Sequence, residues 1–429
     1  MKNVKALTPV VAVVAVALVA AGAASAGKAR STTAAKSCAF ELRIGDVLPF
    51  TGDLAAYGGN MDRAVKLAID LQNAALKRAG LAGTVSVTLV GSEDGQTQAA
   101  ASVEAATKLV KIDKANVIIG EMASGATIPM AQSVTIPNNV VQISPTASAP
   151  QISLLKDKGL LFRAYPSDTL QGKVLAQAAL SKFGKGATIN VGARNDAFGT
   201  ALQALVVTQW KQLGGKVGKV VRWNPNQANF DTDAQKLVAG SPAGWIIIDF
   251  PDTFEKFAPS LVRSGQWSAS KTLMTEALRN TDVLDKIGEP VVGLGGTAAS
   301  AAGGPAGTAF AALWKATVKG AKPYTGFEGT AFDAANVAFL AALSKCSAAP
   351  ASIKANLRAV SGPGGTKVTF ATLTKAVKLL VAGQDVDYEG AFSPVDFDAR
   401  GDIGSAVYEI WQYDGPGKIS TLKTITFRG

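Results

Sequence analysis

Residues 44–71 read IGDVLPFTGDLAAYGGNMDRAVKLAIDL: an apolar strand, a polar stretch rich in Gly, Asp and Tyr, then an amphipathic helix. The recurrence of that order along the chain constrains the fold. The patterning predicts a strand over 40–49 and a helix over 61–79 with Ala64, Leu67, Ala68 and Leu71 on one face. It continues with a strand at 85–90, a helix at 98–111, a strand at 117–119, a helical turn at 128–134 and a strand at 140–143. After a crossing strand at 160–165 the alternation restarts, with helices at 168–183, 198–213, 230–238 and 253–264. The interleaved strands fall at 187–191, 219–223, 245–248 and 272–274. Strands that alternate with helices pair in parallel through crossovers, so the fold class is α/β with two doubly wound parallel-sheet lobes. A short apolar stretch at 291–294 leads into a Gly- and Ala-rich connector at 295–307. Beyond it the pattern predicts helices at 309–319, 329–344, 352–359 and 369–382, then strands at 388–397, 406–414 and 421–427.

The first residues predict export. Lys2 and Lys5 precede an apolar run over 7–22, and Ala24-Ser25-Ala26 supplies a small-residue cleavage pattern. Residues 1–26 read as a secretory signal peptide, with the mature chain starting at Gly27. The net charge is +11, and Lys2 and Lys5 carry two of those charges. The remaining basic residues are scattered on helix faces, as at Lys108, Lys111 and Lys114, and none interleave with aromatic residues. That excludes a nucleic-acid-binding surface of the usual kind. Two cysteines, Cys38 and Cys346, allow one disulfide in an exported chain, although sequence alone does not bring them together. AKSC around Cys38 lacks the leucine-led pattern of a lipid anchor. The chain has no histidine, which removes imidazole metal sites and every Ser-His-Asp or Cys-His arrangement. No metal, cofactor or enzymatic activity is expected.

Three strand ends in the first half carry polar chemistry. The stretch 51–60, with Tyr57, lacks phosphate-loop spacing; a ligand-facing loop and a surface turn both remain open for it. GEMASGAT at 120–127 enters a helix at Ser124, whose hydroxyl suits either an anion or simple helix capping. SPTAS at 144–148 offers Thr146, Ala147 and Ser148, and together the two Ser/Thr-rich ends make a rim suited to a carboxylate. In the second half, NDAFG places Phe198 and DFPD places Phe250 at strand ends. Glu276 follows the short strand LMT, either to pair with an ammonium or to sit in a solvated loop. Asp333, in AFDAAN, reads as a helix-face residue.

With these residues in hand, the chain resembles the periplasmic solute-binding proteins of the leucine/isoleucine/valine-binding type, which serve ATP-driven importers. The resemblance runs from about Phe40 to about Phe427. Its most specific part is IGDVLPFTGDLAAYGGNM, supported by IIGEMASGAT, VVQISPTASAP, LLFRAYPSD, NDAFG and GTAFDAANVA. It implies two lobes, 38–164 with 297–389 and 165–296 with 390–429, joined by three crossings near 163–167, 294–297 and 389–394. It puts both cysteines in the first lobe, where a disulfide is topologically possible. It also implies that Ser124 and Ser148 hold a ligand carboxylate, beside backbone contacts at Thr146 and Ala147. Glu276 would meet the α-ammonium, Tyr57 would shape the side-chain pocket, and Phe198 and Phe250 stand where amino-acid binders have tyrosines. The implied protein is a periplasmic, monomeric carrier that delivers a small amino acid to an ABC-type permease. The alternatives are an amide, carboxylic acid or other small nitrogen ligand, or a sensing module for a signalling partner.

Overall fold

The computed structural model describes residues 38–300 and 305–428; the expected signal peptide lies outside them. The first sheet is built from β1 (Phe40–Leu48), β2 (Val85–Asp94), β3 (Val117–Gly120), β4 (Val141–Ser144) and β5 (Leu161–Arg163). Its order is β2-β1-β3-β4-β5 and all pairs are parallel. β3 and β4 are buried at every residue, which explains why β3 reads as a continuous apolar run rather than an alternating one. The connections carry α1 (Ala55–Arg78), α2 (Ala99–Lys111) and α3 (Ser124–Met130).

The second sheet begins after α4 (Asp168–Phe183). In chain order it takes β6 (Thr188–Arg194), α5 (Ala197–Gln212), β7 (Lys216–Trp223), α6 (Asp231–Val238), β8 (Gly244–Ile248), α7 (Pro251–Arg263), β9 (Thr272–Met274), α8 (Thr281–Ile287) and β10 (Gly295–Ala299). The chain then returns to the first lobe with α9 (Pro305–Thr317), α10 (Phe327–Ser344) and α11 (Pro350–Ser361), of which α10 packs on α1 and β3. β11 (Thr366–Val368), α12 (Leu373–Val381) and β12 (Val386–Tyr388) complete that lobe. β13 (Ser405–Gly415) and β14 (Lys418–Arg428) finish the second sheet in the order β14-β13-β10-β9-β8-β6-β7. β13 runs antiparallel to both β10 and β14, so this sheet is mixed at one edge.

Three expectations shift. The helix expected from residue 61 begins at Ala55, because Tyr57, Met61, Ala64, Val65 and Ala68 form one continuous buried face. Gly58 permits it: a Cβ there would lie 2.1 Å from the Pro49 carbonyl oxygen. The connector expected from residue 295 starts as β10, paired with β9 and β13 inside the second sheet. The second crossing therefore falls beyond Ala299 rather than at 294–297. The strand expected over 388–397 shrinks to the end of β12 and an isolated Glu389–Pro394 bridge.

Buried polar groups pin the crossings. Arg163, at the end of β5, donates from Nε to Asp402 Oδ1 at 2.8 Å and from Nη1 to the Ala149 carbonyl at 3.1 Å. Asp333 is buried and not a surface helix residue. It accepts from the Tyr388 hydroxyl at 2.9 Å and from the amides of Ala391 and Phe392 at 2.7 and 2.8 Å. Cys38 and Cys346 are joined by a disulfide with S–S 2.12 Å. Among the described residues no helix is long and apolar enough to cross a membrane.

Candidate functional site

Both sheets point their carboxyl-terminal strand ends at the same cleft, the place where open α/β sheets receive ligands. From the first lobe, Leu54 follows β1, Met122, Ala123 and Ser124 follow β3, and Thr146 and Ser148 follow β4. From the second, Phe198 follows β6, Phe250 follows β8, and Glu276 and Ala277 follow β9. Phe327, the first residue of α10, closes the wall. In the first sheet β1 and β3 flank the point where strand order reverses, and in the second β6 and β8 do. The enclosed space is about 20 Å³, room for about one water. The lobes are closed on each other, and nothing much larger than a water fits unless they part.

The first-lobe wall is a set of interlocked hydroxyls. Ser124 Oγ accepts from the amides of Ser148 and Ala149, at 3.2 and 3.1 Å, so its own proton remains to be donated. Thr146 Oγ1 donates to the Met122 carbonyl at 2.9 Å, and Ser144 Oγ donates to the Glu121 carbonyl at 2.6 Å. The Ala147 amide donates to Ser144 Oγ at 3.0 Å. The Ala123 amide is taken by the Glu121 carboxyl, whose pKa burial pushes up to about 8.

The second-lobe wall carries charge and rings. Glu276 is buried on the short turn after β9, accepts from Gln171 Nε2, and is pushed up to about 7 by burial, with the Gln171 bond opposing. Asp168, at the start of α4, is also fully buried, and neither of its oxygens has a hydrogen-bond partner. The nearby Ser148 hydroxyl favours its ionised form, but more weakly than burial and Glu276 oppose it. Burial and then the neighbouring Glu276 hold its carboxyl well above the ordinary range. Phe198 and Phe250 stack with centroids 5.2 Å apart and planes 15° apart. No lysine or arginine lines the cavity.

Six of the eight expected site residues therefore meet at one cavity. The structure does not bring Tyr57 or Ala147 to its wall. Tyr57 is buried on α1 behind Phe327, with ring centroids 5.1 Å apart, and its hydroxyl donates to the Ala277 carbonyl across the cleft at 2.7 Å. The Ala147 amide is spent on Ser144. Leu54, Met122, Phe327 and the second carboxyl, Asp168, were not singled out from the sequence. All four lie within or beside the quoted stretches 44–61, 118–127, 160–168 and 329–338. Asp168 is the one whose character, a charged side chain buried without a partner, has no sequence signal.

The sequence profile of one family, described as periplasmic binding protein, matches residues 41–400. The Leu/Ile/Val-binding protein BraC3 of Rhizobium johnstonii is 30% identical over 164 residues, 36% of this chain and 42% of that protein. The match thus spans less than half the length of that relative. The chemotactic signal transduction system substrate-binding protein BasB of Halobacterium salinarum is 24% identical over 365 residues, 83% of each chain. Among solved structures, the leucine binding protein LivK of Thermotoga maritima superposes with a TM-score of 0.72 at 18% identity, over 90% of this chain and 98% of that one. At that identity the likeness speaks for the fold.

Proposed function

Because the chain belongs to the periplasmic binding protein family, we propose that it is an extracytoplasmic carrier that closes its two lobes over a small amino acid and presents it to an ABC-type import permease. The observation that carries this reading is the polarity of the cavity. Hydroxyls of Ser124, Thr146 and Ser148 lie on one wall, a buried carboxyl on the other, and no cation lines the space between. A zwitterion needs hydrogen-bond donors for its carboxylate and an acid for its ammonium. In a dry cleft such pairs are far stronger than in water. In this reading Ser124, whose proton remains available, and Ser148 hold the carboxylate. Glu276 pairs with the ammonium, and Asp168 behind it is a second buried carboxyl, held neutral, that leaves the ionised state to Glu276. Phe198, Phe250 and Phe327 face the side chain. Tyr57 and Ala147 act from behind the wall, by holding Ala277 and the 144–148 turn.

Fold and composition favour binding over catalysis, since a chain without histidine lacks the commonest acid/base group. The test is a thermal-shift screen of the purified protein against the standard L-amino acids, their amides and small carboxylic acids, followed by calorimetry. A ligand that binds only the folded state raises the melting temperature. Stabilisation by an α-amino acid but not by its des-amino acid supports the assignment. Stabilisation by carboxylic acids alone overturns it.

A further inference from the structure

The cleft is bridged at its mouth by one cation that lies outside the cavity. Arg194 ends β6 in the second lobe, and its side chain is 4% exposed. Its Nη2 donates to Asp53 Oδ2 of the first lobe at 2.5 Å. Its other contacts belong to its own lobe: Asp196 from Nε at 2.5 Å, and Thr253 Oγ1 and Asp249 Oδ1 from Nη1 at 3.3 and 3.6 Å. The same guanidinium lies 3.8 Å from the centroid of Phe250, the ring that stacks on Phe198 and faces the cavity.

We propose that Arg194 and Asp53 form a clasp that sets how long the cleft stays shut on its ligand, and that the Arg194–Phe250–Phe198 stack ties the clasp to the cavity wall. This rests on the reading that the lobes close over a small molecule.

Three features fit a clasp better than an ordinary surface ion pair. First, the socket is built in advance. Asp196 also caps α5 by accepting from the Gly199 amide at 2.8 Å, and Asp249 is fixed by its bonds from Trp223 Nε1 and the Phe250 amide. When the lobes part, Arg194 keeps these partners and gives up only Asp53. Little side-chain freedom is lost on closing, the usual cost that makes exposed pairs weak. Gly199 leaves room for the arrangement, because a Cβ there would come within 2.7 Å of Arg194 Cγ. Second, the first-lobe prong engages at more than one atom: Asp53 Oδ2 also accepts from Thr253 Oγ1, and the Asp53 carbonyl from the Asp252 amide, both at 3.4 Å. Third, a flat cation over a ring and a ring over a ring make a continuous stack from clasp to cavity. A side chain seated against Phe198 and Phe250 therefore bears on the surface that positions Arg194.

The test uses Asp53→Asn, a half-buried position whose change leaves the second-lobe socket intact, because Arg194→Lys keeps the charge but loses the fork that reaches Asp53, Asp196 and Thr253 at once and so disturbs the socket itself. Two measurements are made on the full chain. Distance between spin labels, one on each lobe, reports closure of the free protein. Stopped-flow displacement reports release of a mixture of the standard L-amino acids. Asp53→Asn is expected to widen the free-protein distance distribution and to speed release about tenfold, the effect falling on dissociation. Added salt speeds release from the wild type but not from the variant. An unchanged distance distribution together with unchanged release overturns the clasp. If the amino-acid mixture fails to bind the wild type while Asp53→Asn still opens the free protein, the ligand assignment fails and the clasp stands.

Discussion

The two walls of the cleft do different work with different chemistry. The first lobe's wall is neutral. Its hydroxyls sit at the ends of β3 and β4 and bond to backbone: Ser124 Oγ accepts from the Ser148 and Ala149 amides, and Thr146 Oγ1 donates to the Met122 carbonyl. The second lobe's wall is charged and aromatic, with Glu276 and Asp168 buried beside one another and Phe198 on Phe250. The neutral wall is rigid because it is self-satisfied. The charged wall is incomplete, because a buried carboxyl without a cation is held protonated rather than paired. Under the proposed reading, recognition of a cationic group falls to the second lobe and placement of an anionic group to the first.

The largest expected effect tests the charged wall. Glu276→Ala is expected to weaken binding of an α-amino acid by about 2–5 kcal/mol, read by calorimetry, because the ammonium is left buried and unpaired. Equal affinity in the variant would dissolve the contrast between the walls. pH tests the same residue next. Glu276 titrates at about 7 in the closed protein, above the ordinary carboxyl value near 4.3. Between those limits the folded state holds a proton that the unfolded state has lost, so the unliganded protein loses stability as pH rises through that window. Affinity for an ammonium ligand runs the other way, rising up to about tenfold per unit as pH approaches 7 and levelling above it. Glu276→Gln flattens the affinity profile; Asp249 and Asp333, pushed up by burial to about 8 and about 7, keep part of the stability profile.

The neutral wall should respond less and differently. Ser124→Ala leaves the Ser148 and Ala149 amides without their acceptor and is expected to cost about 1–3 kcal/mol of stability, with loss of affinity for carboxylates. The smallest change is expected at Tyr57→Phe, which removes the cross-cleft bond to Ala277 while keeping the ring against Phe327. A loss of about 0.5–1.5 kcal/mol in affinity, with folding intact in urea titration, is the expected outcome.

The alternation of strands and helices was legible because parallel sheets bury whole strands, and β3 and β8 read as unbroken apolar runs. β10 was not: GGTAA has little β propensity and becomes a strand only because β9 and β13 pair with it. The start of α1 was hidden by Gly58 and Gly59, which look like loop residues until the helix is seen passing the Pro49 carbonyl. Six cavity residues were found through strand-end motifs and the family resemblance they carry. Tyr57 was assigned to the wall because an aromatic at a strand end looks like a contact, yet its place on a buried helix face sends its hydroxyl to Ala277. Arg194 and Asp53 had no signal at all. They lie 141 residues apart, and their pairing exists only once two lobes face each other.

The disulfide between Cys38 and Cys346 spans a sequence separation of 308. It fastens the residue just before the first strand to the segment just after α10, which packs on α1 and β3. A chain made amino end first therefore cannot close this link until residue 346 has been added. The second sheet likewise waits for β13 and β14 at the far end. Neither lobe is a severable module, and a truncation that removes the last quarter of the chain removes structural partners from both.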